Sequence, residues 1–174
     1  MSKIAVVYKS KYGSTKQYAQ WIAEALGARL FESSSIKPSE LGNYDVVIYG
    51  GGLYAGSING VKLVAKEAAC KQLVVFTVGL EHTTAEECAD ILAKAFTPER
   101  LAETKTFHFR GNLNYKTMGL IHKGMMAVVK REAEKKPVAQ RTCFDNFVLE
   151  TYGKDVNFMD KSEIMPLVEF VRAL

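Results

Sequence analysis

Ser10, Ser14 and Thr15 place three hydroxyl groups around Gly13 in the stretch Tyr8-Lys9-Ser10-Lys11-Tyr12-Gly13-Ser14-Thr15. Residues 4–8 (IAVVY) ahead of it form a continuous apolar run, the mark of a strand buried on both faces. Behind it, residues 14–26 carry Tyr18, Ile22 and Leu26 four apart, with Gly27 placed as a helix stop. A loop between such a strand and helix presents backbone N–H groups without helical acceptors at the positive end of the helix dipole, which favours an anion. The hydroxyls add donors, Gly13 lets the backbone close around a phosphate, and Lys11 adds charge. A Ser/Thr-rich turn that caps a helix and binds nothing is the plainer reading. No G-x-x-x-x-G-K is present, and no carboxylate stands in this loop to accept a phosphoryl group.

A second loop, Gly50-Gly51-Gly52-Leu53-Tyr54-Ala55-Gly56-Ser57, has chemistry of another kind. Its glycines allow a flat ligand to approach the backbone, and Tyr54 offers an aromatic face. Gly50 to Ala55 also matches G-x-G-x-x-A, but a dinucleotide fingerprint needs the helix to begin inside the motif, after the first strand. Here Gly56, Ser57, Asn59 and Gly60 delay it, after the third. A third loop, Thr77-Val78-Gly79-Leu80-Glu81-His82, ends a later strand. His82 suits either a proton relay or a solvated position beside a helix cap at Thr83. His108 and His122 lack ligand spacing with a carboxylate or thiol, so no metal is expected.

The elements that position these loops alternate. Residues 29–32, 46–49, 72–78 and 104–109 read as further strands. Residues 61–69 read as a helix, and Thr83-Thr84-Ala85-Glu86 is a capping box opening another to about residue 96. Residues 115–135 include a Met-rich amphipathic helix, and Asp160-Lys161-Ser162-Glu163 opens the last one. Strand, helix, strand at this spacing predicts right-handed βαβ units and a parallel sheet with helices on both faces. Ligands of such sheets bind beyond the carboxyl ends of the strands. The chain has 174 residues, 48% hydrophobic and 24% charged, as expected of one folded domain.

Net charge is +4 without an arginine-rich run or aromatic-interleaved basic stripe, so nucleic acid is not an expected partner. Cys70, Cys88 and Cys143 are odd in number and lack a C-x-x-C, which suits reduced structural thiols. With no long apolar run, a cytoplasmic protein is expected. Met118, Ile121, Met125 and Val128 make a helical stripe beside Lys116, Lys123, Lys130 and Arg131. That stripe either packs on the sheet with a solvated basic edge, or borders an apolar acceptor or the inner face of a membrane as a peripheral contact.

The Tyr8–Thr15 stretch resembles the FMN phosphate loop of the flavodoxin family, and the likeness runs strand for strand along the whole chain. The resemblance implies a three-layer flavodoxin-like fold, a five-stranded parallel sheet in the order 2-1-3-4-5. It implies FMN as cofactor, with the phosphate held by Ser10, Lys11, Tyr12, Gly13, Ser14 and Thr15. Gly52, Leu53, Tyr54, Ala55 and Gly56 would line the ring, and Thr77, Val78, Gly79 and Leu80 would close over it. Together with a segment inserted at about residues 111–135, these loops resemble the branch containing menaquinone-dependent protoporphyrinogen dehydrogenases, with Asn114 and Tyr115 on the substrate side. The implied activity is an FMN-dependent oxidoreductase acting on a quinone, a porphyrinogen or a redox protein. No catalytic acid or base is expected, because the flavin carries the chemistry. The alternative is a flavodoxin-type electron carrier, but such carriers are generally acidic.

Overall fold

The computed structural model describes residues 2–54, 56–65, 70–80 and 85–174. Ala55, His82, Thr83 and residues 66–69 of the expected second helix lie outside them. The described chain forms two compact units, Met1–Gly111 with Met159–Leu174, and Asn112–Phe158.

The first unit is built on strands β1 (Ile4–Lys9), β2 (Arg29–Glu32), β3 (Val46–Tyr54), β5 (Gln72–Gly79) and β6 (Lys105–Arg110), joined in the order β2-β1-β3-β5-β6. All four pairings are parallel, with Ala5 beside Arg29, Ile4 beside Val46, Val46 beside Gln72 and Val74 beside Lys105. Counted without the short β4 (Ser57–Ile58), this is the 2-1-3-4-5 order. Strand β4 folds back antiparallel on the end of β3, pairing Leu53 with Ile58 and Tyr54 with Ser57. The third strand thus runs five residues past its expected end at Tyr49 and straight through the triple glycine. Apolar run length marks where a strand is buried, not where its ladder stops.

Alternation along the strands divides the core into two layers. Ala5, Val7, Val47, Tyr49, Leu73 and Val75 form one buried cluster with Val64 of α2 (Lys62–Ala65) and Leu92 of α3 (Ala85–Ala93). Val6, Tyr8, Ile48, Val74, Phe76 and Val78 form the other, under Tyr18 and Ile22 of α1 (Ser14–Leu26) and Leu167 and Val171 of α7 (Met165–Arg172). A short helix α4 (Pro98–Glu103), capped by the Thr97 hydroxyl accepting from the Arg100 amide, precedes β6 and is a departure from the expected pattern. Asp160 does act as a cap, accepting from the Ser162 amide, but it opens a single 3-10 turn, Lys161–Ile164, before α7.

The second unit is bounded by a two-stranded antiparallel ribbon, β7 (Asn112–Leu113) and β8 (Val156–Asn157). Within it α5 (Leu120–Lys135) packs on α6 (Cys143–Thr151). Asp145 and Thr142 form a reciprocal capping box at the start of α6, and Lys136 donates to both Asp145 carboxylate oxygens at 2.9 and 2.8 Å. Neither β7–β8 nor α6 was expected from sequence. Among the described residues no helix is long and apolar enough to cross a membrane.

Candidate functional site

Helix α1 begins behind Gly13, whose backbone is left-handed at φ 96°. A methyl there would meet nothing within 4 Å, so the requirement for glycine is one of backbone conformation alone. Having no side chain, Gly13 leaves the helix start without a side-chain cap. The first-turn amides of Ser14, Thr15 and Lys16 therefore have no acceptor within the helix, and the positive end of its dipole stands open beside them. Ser10 folds the loop by accepting from the Gly13 amide at 3.0 Å. Ser14 and Thr15 are both buried.

Two glycines, Gly52 in β3 and Gly111 just after β6, let the backbone pack closely against this corner. A methyl at Gly52 would lie 3.7 Å from Thr15 Oγ1 and 3.2 Å from Tyr54 Cε2. One at Gly111 would lie 3.2 Å from Ser14 Oγ and 3.0 Å from Val78 Cγ1. The carboxyl ends of β1, β3 and β6 thus converge on the amino end of α1. Lys11 Nζ lies 5.8 Å from the ring centroids of both Tyr12 and Tyr54, which joins the first loop to the second. Burial, with Tyr12 adding to it, pushes the Tyr54 phenol up to about 12, so it is neutral at ordinary pH. Gly56 has φ 72°, and Ser57 Oγ donates to the Tyr54 carbonyl at 3.0 Å, closing the hairpin that carries the tyrosine.

The third loop is held from β6. The Gly111 amide donates to the Gly79 carbonyl at 2.7 Å, and Arg110 Nε donates to the Leu80 carbonyl at 3.3 Å. Thr77 is fully buried, with its hydroxyl 2.8 Å from His108 Nδ1, and a methyl on Gly79 would come within 3.0 Å of His108 Cε1. Of the expected residues, 10–15, 52–54, 56 and 77–80 therefore all lie at this edge of the first unit. Asn114 and Tyr115 belong to the second unit. There Asn114 Oδ1 accepts from the Lys116 and Thr117 amides, and the Tyr115 ring lies 5.3 Å from that of Tyr152. His108, Arg110 and Gly111 reach the first-unit site without a motif to announce them. Their signal was positional, the carboxyl end of the fifth parallel strand.

A surface depression of about 480 Å³ lined by Ser2, Asp45, Lys71 and Leu174 lies at the amino ends of the strands, where the first residues of β3 and β5 also border it. It belongs to the other edge of the sheet.

A family model described as a flavodoxin domain matches residues 5–140. This chain belongs to the flavodoxin-domain family. The flavodoxin-domain chain is similar to a solved flavodoxin from the domain Archaea, at 15% identity over 66% of this chain and 87% of that one, with a TM-score of 0.46. It is similar also to two-electron reduced Megasphaera elsdenii flavodoxin, at 13% identity over 60% and 84% of the two chains with a TM-score of 0.47. A WrbA-like flavodoxin from Agrobacterium tumefaciens shares 19% identity over 60% and 76%, with a TM-score of 0.40. No curated protein matches the chain.

Proposed function

We propose that this chain binds FMN, its phosphate at the amino end of α1 and its ring beside Tyr54, and works as an FMN-dependent oxidoreductase. The observation that carries the reading is the start of α1 behind the left-handed Gly13, which has no side-chain cap and holds the buried Ser14 and Thr15 in its first turn. First-turn amides have no acceptor within a helix, and an anion at that corner would supply one, at about 1.5–3 kcal/mol per hydrogen bond to a charged group. Nothing lies within 4 Å of where a β-carbon on Gly13 would stand, so the space beside the helix start is open there.

FMN, when bound, supplies one- or two-electron exchange with its partner. The chain's part is to hold and orient. Ser14 and Thr15 donate hydroxyl hydrogens, the first-turn amides add N–H donors, and the dipole of α1 supports the negative charge. Tyr54 offers a neutral aromatic face, and Gly52 and Gly56 keep the backbone free of β-carbons beside it. Gly111 and Arg110 fix the height of the Gly79–Leu80 loop through the two carbonyls they bind.

The electron partner is proposed to be a small apolar molecule of the quinone or porphyrinogen class, in keeping with the resemblance to the menaquinone-dependent protoporphyrinogen dehydrogenases. The net charge of +4 also favours this over a carrier that docks through acidic patches. The absorbance spectrum of freshly purified protein, followed by an FMN titration of the apoprotein, tests the first half. A colourless protein that takes up no FMN refutes it. Turnover of a soluble quinone, and separately of protoporphyrinogen, without any protein acceptor tests the second. Transfer only to another protein would make the chain a carrier.

A further inference from the structure

Helix α5 has an apolar side that nothing in its own unit covers. At 100° per residue, Leu120, Ile121, Gly124, Met125 and Val128 fall within one arc of the first two and a half turns. Leu120 is 86% exposed, Ile121 81%, Val128 62% and Met125 52%. The buried Ala133 lies on the opposite side, with the half-buried Met126 and Val129. The front half of α5 is thus apolar nearly all round, a pattern that normally means burial. Four neighbouring large apolar side chains at such exposure form a patch of the kind that marks an interaction surface.

Along the segment that carries the patch the charges have one sign, and Lys116 at its start pairs with Asp155 at 3.5 Å. Residues 116–131 contain Lys116, Lys123, Lys130 and Arg131 and no aspartate or glutamate. Glu132 and Glu134 come only in the last turns, where they meet Lys135 at 2.6 Å and Lys130 at 3.3 Å. Across residues 112–158 there are eight Lys and Arg against five Asp and Glu, so this unit carries +3 of the chain's +4. A helical face of Leu, Ile, Met and Val rimmed by cations, on a helix too polar overall to span a bilayer, has the makeup of an interfacial helix. Its complement is a surface that is apolar beneath and negative above. Long basic side chains can lie along that boundary with their charges in the headgroups.

We infer that α5 docks this chain on the surface of an anionic lipid bilayer, with Ile121, Met125 and Val128 entering the headgroup–acyl boundary and Lys116, Lys123 and Arg131 meeting the lipid phosphates. The contact is reversible and peripheral. It rests on the second unit alone and does not depend on the flavin reading.

Co-sedimentation of the full chain, with FMN added, tests this against vesicles of phosphatidylglycerol and phosphatidylcholine in about equal parts and against phosphatidylcholine alone. Binding to the first, little to the second, and release by added salt are expected. Changing Lys116, Lys123 and Arg131 to Gln should weaken partitioning about fivefold per charge, roughly a hundredfold together. Ile121→Asp with Met125→Asp should abolish it while leaving the circular dichroism spectrum unchanged, since both side chains are exposed. No binding to the anionic vesicles would overturn the inference, as would equal binding to both vesicles or full binding by the Asp variant. A dimer in light scattering that Ile121→Asp dissolves would overturn it too, by showing that a second copy covers the face. Vesicle binding is read by sedimented protein rather than by flavin colour, so its failure and that of FMN uptake are distinguishable.

Discussion

Replacing Thr15 by Val should weaken FMN binding while leaving apoprotein stability nearly unchanged. The two side chains have nearly the same shape and the same branching, so packing at the start of α1 is conserved while one hydroxyl becomes a methyl. Thr15 is 4% exposed, so valine can occupy its place without altering the surface around it. Removing the hydroxyl should leave the melting temperature of the apoprotein nearly unchanged, because valine keeps the branching at Cβ and its rotamer preference. A hydrogen bond to a charged group contributes about 1.5–3 kcal/mol, so the FMN dissociation constant should rise about 10- to 150-fold. Quenching of FMN fluorescence gives the affinity, and thermal unfolding of the apoprotein gives the stability. Thr15→Ser, which retains the hydroxyl, should stay close to wild type in both. If Thr15→Val lowers apoprotein stability by more than about 1 kcal/mol while affinity holds, the hydroxyl serves the fold and the reasoning fails.

Other perturbations probe the same framework. Gly50→Ala would drive a methyl into the ring of the fully buried Phe76, so denaturant unfolding should show a loss of about 1–3 kcal/mol or more. Tyr54→Ala removes the aromatic face and should weaken FMN about 5- to 100-fold by titration, on the scale of base–aromatic stacking. In the second unit, the Lys136 ammonium first, and then the Thr142 amide, hold the Asp145 carboxyl down at about 2. That lies below the value of about 3.9 for an unfolded aspartate, so its contribution is full above about pH 4 and is lost as pH falls from there through 2. Acid unfolding followed by near-UV circular dichroism should show this loss, and Asp145→Asn should flatten that part of the profile.

Much of the first unit can be read directly from residue order. The helix at residues 14–26 and the strand at 29–32 have the bounds that spacing predicts, and Gly27 stops α1 with φ 61°. Buried parallel strands announce themselves as unbroken apolar runs, and here each is punctuated by glycine or serine. Elements held by partners far along the chain are harder to see. Strand β4 has two residues and exists because Leu53 finds Ile58. Strands β7 and β8 depend on pairing Asn112 with Asn157, a contact that local pattern does not encode. In the site, the hydroxyls around Gly13 and the glycines before Tyr54 were legible because loop chemistry is written in consecutive residues. His108, Arg110 and Gly111 act across the sheet on Thr77, Leu80 and Gly79, which is visible only once β5 and β6 are paired in register. The direction in which the Met-rich stripe faces was likewise open, since periodicity shows that a helix has an apolar side but not what covers it.

The Tyr18 hydroxyl, buried in α1, donates to the Arg110 carbonyl at 2.8 Å and accepts from the Asp160 amide at 3.2 Å, with the Glu163 carboxylate 3.1 Å away. Arg110 and Asp160 are where the polypeptide departs from the first unit and where it comes home, so one phenol rivets both ends of the excursion to the same spot. An excursion pinned at its root can change in length or content without loosening the sheet, since the loop-closure entropy grows only slowly with length. With both its ends tied to one phenol, the stretch 112–158 can be lengthened or shortened without breaking any strand pairing of the five-stranded sheet.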